Sequence, residues 1–375
     1  MQRSSFGKSF FLCQVSVTLP IIDAPWERLV VSKRAPQLKN NDRRSEKMPY
    51  NVKTYYRKEE LPPLPDVSFF HYTSSFDWYG NMPSHTPLML VAFEEEKPIA
   101  ALFAVIVRIN RLFRGKLFKR CFISQQPAFF EKRRPPIELF EALISHLVKE
   151  VQRKTFLICY QNIGDAIFGY KGFRDNQFHS VKWLNIRNSL QRKRNIRNQL
   201  SRTRKNQVNK AKRKGVTIEV LSSEEKLPEI YRLIQDTNRK KVRRRFPPYP
   251  YFENFYHHYI LQGRGKLLLT RYQDKIIGGA ILGLENKRSA YCLYYWGKSK
   301  RYKLLYPTVF TLFSAMETAG KEGFQYFDYM DVGFLNRHTG KSRFLLQFGG
   351  KQKATRRWYR INWQLLNFFA GKILD

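Results

Sequence analysis

Residues 187–214 hold twelve lysines and arginines and no acid: Arg187, Arg192, Lys193, Arg194, Arg197, Arg202, Arg204, Lys205, Lys210, Lys212, Arg213 and Lys214. Side chains of one sign at this density repel one another, so the run calls for a polyanion that neutralises it. Contacts to phosphate are the chemistry such a run performs, with Arg202, Arg204 and Lys205 as candidate substrate-binding cations. A second cluster, 239–245, has six basic residues in seven and runs into Phe246, Pro247 and Pro248. The plainer alternative for both runs is a solvated face that binds nothing.

The rest of the chain narrows the partner. It has 375 residues, with 68 Lys and Arg against 30 Asp and Glu, a formal charge of +38. Removing both clusters leaves a large positive surplus, so an RNA or a membrane surface fits better than a single phosphate pocket. The chain is 43% apolar, with 30 Phe and 21 Tyr, enough for real cores. Cys13, Cys121, Cys159 and Cys292 form no CxxC pair, which argues against a zinc ribbon or a secreted disulfide scaffold and for a reducing compartment. The histidines give no HExxH, and no metal is expected. Nothing approaches the run of about 20 apolar residues that a spanning helix needs. Residues 1–47, whose apolar segment Phe10 to Ile22 is broken by Gln14, Ser16, Thr18 and Pro20, read as a poorly ordered extension.

The elements that must carry these cations repeat along the chain. Leu88 to Phe93, an acidic turn and Pro98 to Phe103 read as a hairpin, and Leu267 to Tyr272 followed by Ile276 to Ile281 read as another. Each is followed by more strand-like sequence and then by a helix that opens at a proline. Pro136 precedes Ile137, Phe140, Ile144, Leu147 and Val148, and Pro307 precedes Val309, Leu312, Phe313 and Met316; both spacings make one apolar stripe. A strand closes each unit, Thr155 to Tyr160 and Gln325 to Tyr329. Matched elements in the same order predict an internal duplication: two α/β units with mixed (α+β) sheets, 48–184 and 185–375, the second including a basic helix over 187–214 that Gly215 ends.

Several of these residues resemble one family. Arg204 to Val216, Thr237 to Arg239, Pro247 to Phe252, Gly278-Gly279, Gly323 with Phe327-Asp328, and Phe344 with Phe348-Gly349-Gly350 look like the signatures of the FemABX-like aminoacyltransferases. The likeness covers the second half, and the first only through the duplicated architecture. It implies two tandem GNAT-like domains and an acyltransferase, cytoplasmic or peripheral at the inner membrane surface. Such an enzyme moves an amino acid from aminoacyl-tRNA to the stem peptide of an anionic cell-wall precursor. No cofactor is implied.

That reaction needs a group to hold or deprotonate an amine and a cation near the oxyanion. Asp328 and Asp331, at the end of a strand, are the carboxylates for the first task, with a strand-end hydrogen bond as their plainer role. Relatives carry a cation near the Phe344 motif, but Leu345 stands where their pattern commonly has Lys; Arg343 as a catalytic cation and Lys341 as a substrate-binding one are the substitutes. The turns 124–136 and 297–307 are not Gly-rich, which disfavours a pyrophosphate cradle for coenzyme A. Two other classes remain open: a non-catalytic RNA-binding protein on a transferase fold, and an acyltransferase acting on lipid or polysaccharide.

Overall fold

A computed structural model describes residues 50–374 apart from 67, 81, 110–114, 132–136, 163–166, 192–194, 239–246 and 336–338. The expected extension 1–47, Cys13, Pro136, Arg192 to Arg194 and the 239–245 cluster lie outside the described residues.

Among the described residues thirteen strands form one sheet: β1 (Asn51–Tyr55), β2 (His85–Glu94), β3 (Lys97–Arg108), β4 (Lys119–Ile123), β5 (Ala128–Phe129), β6 (Leu157–Asn162), β7 (His179–Ser189), β8 (Val216–Val220), β9 (Gly265–Tyr272), β10 (Lys275–Glu285), β11 (Ser289–Gly297), β12 (Tyr326–Phe334) and β13 (Lys351–Ile361). Their order is β1-β2-β3-β4-β6-β13-β7-β12-β11-β10-β9-β8, with β5 paired to β3. Around them lie α1 (Ser74–Gly80), α2 (Ile137–Val151), α3 (Tyr170–Asp175), α4 (Ile196–Gln199), α5 (Arg202–Arg213), α6 (Leu227–Asn238), α7 (Tyr249–Phe255), α8 (Pro307–Lys321), α9 (Gly340–Leu346) and α10 (Gln364–Leu374).

The duplication is visible in the pairing. β2-β3-β4 are antiparallel, α2 crosses over, and β6 joins parallel to β4; β9-β10-β11 are antiparallel, α8 crosses over, and β12 joins parallel to β11. Ile99 to Phe103 and Ile277 to Ile281 therefore occupy equivalent strands. β10 and β11 are buried from Ile276 to Glu285 and from Ser289 to Gly297, so both of their faces are covered and their sequences run almost wholly apolar. The α2 stripe of Leu139, Phe140, Leu143, Ile144, Leu147 and Val151 packs on the first unit, and Trp358 from β13 lies in that same core.

The two units exchange strands. β7 follows β6 in the chain but pairs antiparallel with β12, while β13 follows β12 but pairs antiparallel with β6; β7 and β13 then pair with each other. Position 184/185, the expected division, falls inside β7. Periodicity marks a strand without naming its neighbour, which is why the exchange is invisible along the chain.

The basic run is not the single helix expected over 187–214. Arg187 belongs to β7, a four-residue α4 follows, and the helix proper begins at Arg202, where Ser201 caps it by accepting from the Arg204 N–H at 3.3 Å. β13 starts just after Gly349, whose φ is +83° and whose Cβ, were there one, would lie 2.2 Å from the Gln199 carbonyl oxygen. Gly215 has a similar φ of +79° with open space around it. Gly349→Ala should therefore cost at least about 2 kcal/mol in urea unfolding, and Gly215→Ala only about 1 kcal/mol. Equal losses would show that the chain does not approach Gly349 as closely as described.

Candidate active site

The site is built where strands part. β11 and β12 pair only from Ser289 and Tyr326 to Cys292 and Tyr329; β11 then continues to Gly297 without its partner. On its other edge β12 pairs Tyr329 with Ile186 and next Gly333 with Leu184, so residues 330–332 bulge out of that ladder. Such a bulge re-aims side chains and ends pairing, as irregular strands beside active sites do. The backbone of Asp331 lies in this bulge, two residues past the last pair that β12 makes with β11.

α5 spans the segments that leave these strands. It packs on α8 and on the turn Lys303–Leu305 after β11, and Arg204 ties it to α9, which packs on β12. Lys212 reaches α8, with its Nζ 5.0 Å from the Phe313 ring centre and 3.9 Å from Glu317. Arg202 and Arg213 are exposed, and Lys205 and Lys210 half-buried; none of the four has an acidic partner among the described residues. This face of α5 is a line of unneutralised cations.

Arg204 does something else. It is buried, its guanidinium lies 4.4 Å from the Phe344 ring centre and 5.9 Å from that of Phe348, and its Nη1 donates to Gln207 Oε1 at 2.6 Å. Burial lowers its pKa to about 10. Around it, the Ser201 N–H donates to the Gln347 carbonyl at 2.9 Å, and Asn188 Nδ2 donates to the Phe348 carbonyl at 2.8 Å. Arg204, Phe344, Phe348 and Gly349, all quoted for the family resemblance, thus meet in one knot that docks α5 on α9 and on the end of β7.

Asp328 sits on β12 directly opposite Arg187 of β7. Arg187 Nε donates to Asp328 Oδ1 at 2.6 Å and Nη2 to Oδ2 at 3.0 Å, a two-bonded fork, while the guanidinium also covers the Tyr326 ring at 4.7 Å. One cation of the basic run, Arg187, and the carboxylate expected to act as a base therefore hold each other. On the other edge of β12, β11 pairs Tyr291 directly with Asp328. Tyr291 donates to Glu285 Oε2 at 2.7 Å, and Glu285 Oε1 accepts from the Phe69 N–H at 3.1 Å. Burial, and then the Glu285 carboxylate, hold the Tyr291 phenol well above its usual range, so it stays a donor. Neither Tyr291 nor Glu285 is apparent from the sequence, because only cross-strand register brings Tyr291 to Asp328, and Tyr291 in turn reaches Glu285.

On α9, Thr339 caps the helix by accepting from the Ser342 N–H at 3.2 Å. Arg343 is exposed and Lys341 half-buried, whereas Leu345 is wholly buried in the core. An ammonium at 345 would have to leave water, at a cost an alkyl chain avoids. At the start of α8, Tyr306 takes a left-handed conformation and Ser299 Oγ lies 3.0 Å from Thr308 Oγ1. Burial, and then Arg301, lower the pKa of Lys298 in the same turn. Among the described residues no three His, Cys, Asp or Glu converge as metal ligands, and no helix is long and apolar enough to cross a membrane.

Residues 192–338 match the model of an acetyltransferase (GNAT) domain. Among solved structures, the chain is similar to FemX, with 12% identity, a TM-score of 0.60, and coverage of 82% of this chain and 95% of that one. It is also similar to the C-terminal domain of a putative lysylphosphatidylglycerol synthetase from Agrobacterium fabrum, with 16% identity, TM-score 0.50 and coverage of 72% and 85%. A tandem GNAT protein from the clavulanic acid biosynthesis pathway matches with 9% identity, TM-score 0.51 and coverage of 75% and 84%. No curated protein sequence matches the chain. At these identities the likeness is one of fold: the chain has a tandem GNAT fold similar to that of FemX, and its residues 192–338 match an acetyltransferase (GNAT) domain.

The geometry separates the cations. Arg202→Glu with Lys205→Glu should weaken binding of bulk tRNA and reduce the slope of log affinity against log salt by about two, with folding intact. Arg204→Ala should instead lower stability by about 2 kcal/mol through the lost ring contacts and hydrogen bond. An unchanged salt slope in the double variant would make α5 a solvated face.

Proposed function

We propose that this chain transfers an amino acid from aminoacyl-tRNA to the amine of a stem peptide on an anionic cell-wall precursor. The observation that carries the reading is the line of cations on α5 that have no acidic partner among the described residues, on a helix that packs on α8 and on the turn after β11 in a FemX-like fold. A polynucleotide donor supplies the phosphates that such a line lacks; a small thioester donor has far fewer. The turn 298–306, with Lys298, Lys300, Arg301 and Lys303 but no glycine, supports a donor held by side chains rather than by a backbone cradle.

In this reaction the amine nitrogen attacks the ester carbonyl, the C–N bond forms, and the C–O bond to the tRNA ribose breaks as the amine loses a proton. Both Asp328 oxygens accept from Arg187, so Asp328 holds the strand and its charge in place. The proton then passes to Asp331 in the neighbouring bulge and from there to the departing ribose oxygen, which leaves as the hydroxyl. Arg343, with Lys341 beside it, takes the oxyanion role that a buried Leu345 cannot. Arg202 and Lys205 hold the donor's phosphates.

The engagement of Asp328 by Arg187, together with Leu345 in the core, favours one second reading: a non-catalytic RNA-binding protein on the same fold. A transfer assay separates the two. With tRNA charged with labelled amino acids and a stem-peptide precursor as acceptor, the chain should form labelled product. Asp331→Asn should lower turnover by about 10²–10⁴-fold at unchanged thermal stability, and Asp328→Asn should lower stability first. No product from charged tRNA, or full turnover per folded molecule in both variants, would overturn the assignment.

A further inference from the structure

α10 presents an apolar face to water. Asn367 and Gly371 fix its inward side: Asn367 Nδ2 donates to the Gln177 carbonyl at 2.9 Å, its Oδ1 accepts from the Ile361 N–H at 2.9 Å, and a Cβ at 371 would lie 2.3 Å from the His179 ring. At 100° per residue, Leu365, Leu366, Phe369 and Ile373 then fall within about 100° of one another on the opposite side. All four are exposed, Leu365 by 60% and Ile373 by 56%. This reverses the pattern of a surface helix on a globular protein, whose outward face is polar.

The patch continues past the helix with a basic rim. Lys116 donates to the Asn362 carbonyl at 3.1 Å, which sets the turn Lys116–Phe118 beside Trp363; Leu117 there is 58% exposed and Trp363 55%. Asn362 Nδ2 donates to the Thr155 carbonyl, which brings exposed Arg153 to the same corner. At the other end Lys372 lies 4.8 Å from the Phe368 ring centre. Aromatic and leucine side chains outward, ringed by cations, on a protein of charge +38 match an anionic lipid surface in both polarity and sign. A partner protein could cover the apolar stripe but has no need of the rim.

We propose that α10, with Trp363 and Leu117, is a membrane-docking face that lays the molecule on an anionic bilayer. This goes beyond the transfer reading and does not depend on it, since the test involves no transfer. Full-length chain would be sedimented with vesicles of equal parts phosphatidylglycerol and phosphatidylcholine, and with vesicles of phosphatidylcholine alone. Binding is expected to the first and at least about tenfold weaker to the second. The variant Leu365→Ser/Phe369→Ser/Ile373→Ser should lose at least about tenfold in partition to the anionic vesicles. Its thermal stability should be unchanged, because these side chains are already exposed.

A second measurement uses the native face. Brominated lipid should quench wild-type fluorescence more than that of Trp363→Phe. Equal binding by the triple variant would show that the basic surface acts alone and overturn the proposal. So would a failure of wild type to bind, equal quenching in the two proteins, or a wild-type dimer that the triple variant converts to monomer.

Discussion

The fork between Arg187 and Asp328 closes the seam on which the molecule depends. β7 and β12 come from opposite halves of the chain, and their ladder carries the second unit's sheet into strands that complete the first. The fork is largely screened from water, with the carboxylate side chain only 11% exposed. Removing one partner from such a pair leaves a charge with nothing to answer it, at a cost of about 3–5 kcal/mol. Just beyond the pair the order changes: β11 and β12 part after Cys292 and Tyr329, and 330–332 bulge. The rigid seam thus ends where the opening begins, which is where a transferase needs one fixed wall and one accessible edge.

The same economy appears in the cations. Arg204 and Arg187 are spent inside the protein, one against Phe344 and Phe348, the other against Asp328 and Tyr326. That frees the rest of α5 from structural duty, and Arg202, Lys205, Lys210 and Arg213 have no acidic neighbour among the described residues. Like charges one turn apart destabilise a helix in isolation. Here Val208 and Ala211 anchor it on the core, Ser201 caps it, and Arg204 clasps it to α9, so packing offsets a repulsion that an anionic ligand would relieve.

Much of the fold is legible along the chain because hairpins and amphipathic helices announce themselves locally. Leu88 to Phe103 and Leu267 to Ile281 read as hairpins, and the stripes of α2 and α8 read as helices, since each depends only on near neighbours. The tandem arrangement follows from their repeated order. What does not read is partnership. Nothing between Phe178 and Leu190 says that β7 will leave its own unit for β12, so Arg187 counts as one more surface cation and Asp328 as an open carboxylate. Arg204 is equally hidden: composition puts it in a basic run, and only the three-dimensional position of Phe344 and Phe348 shows it buried. The outward turn of Leu365, Phe369 and Ile373 escapes notice for the opposite reason. An apolar stripe is ordinarily taken for core, and only the hydrogen bonds of Asn367 show which way the helix faces.

The account rests on the claim that the exposed cations of α5 serve a polynucleotide donor carrying an activated amino acid. The most direct measurement is to purify the full chain at low salt, extract the RNA bound to it under acidic conditions that preserve the ester, and sequence that RNA while identifying any attached amino acid. The account predicts tRNA, enriched in the charged form and in one or a few isoacceptors. Recovery of no RNA, or of mixed RNA fragments without an esterified amino acid, would contradict it.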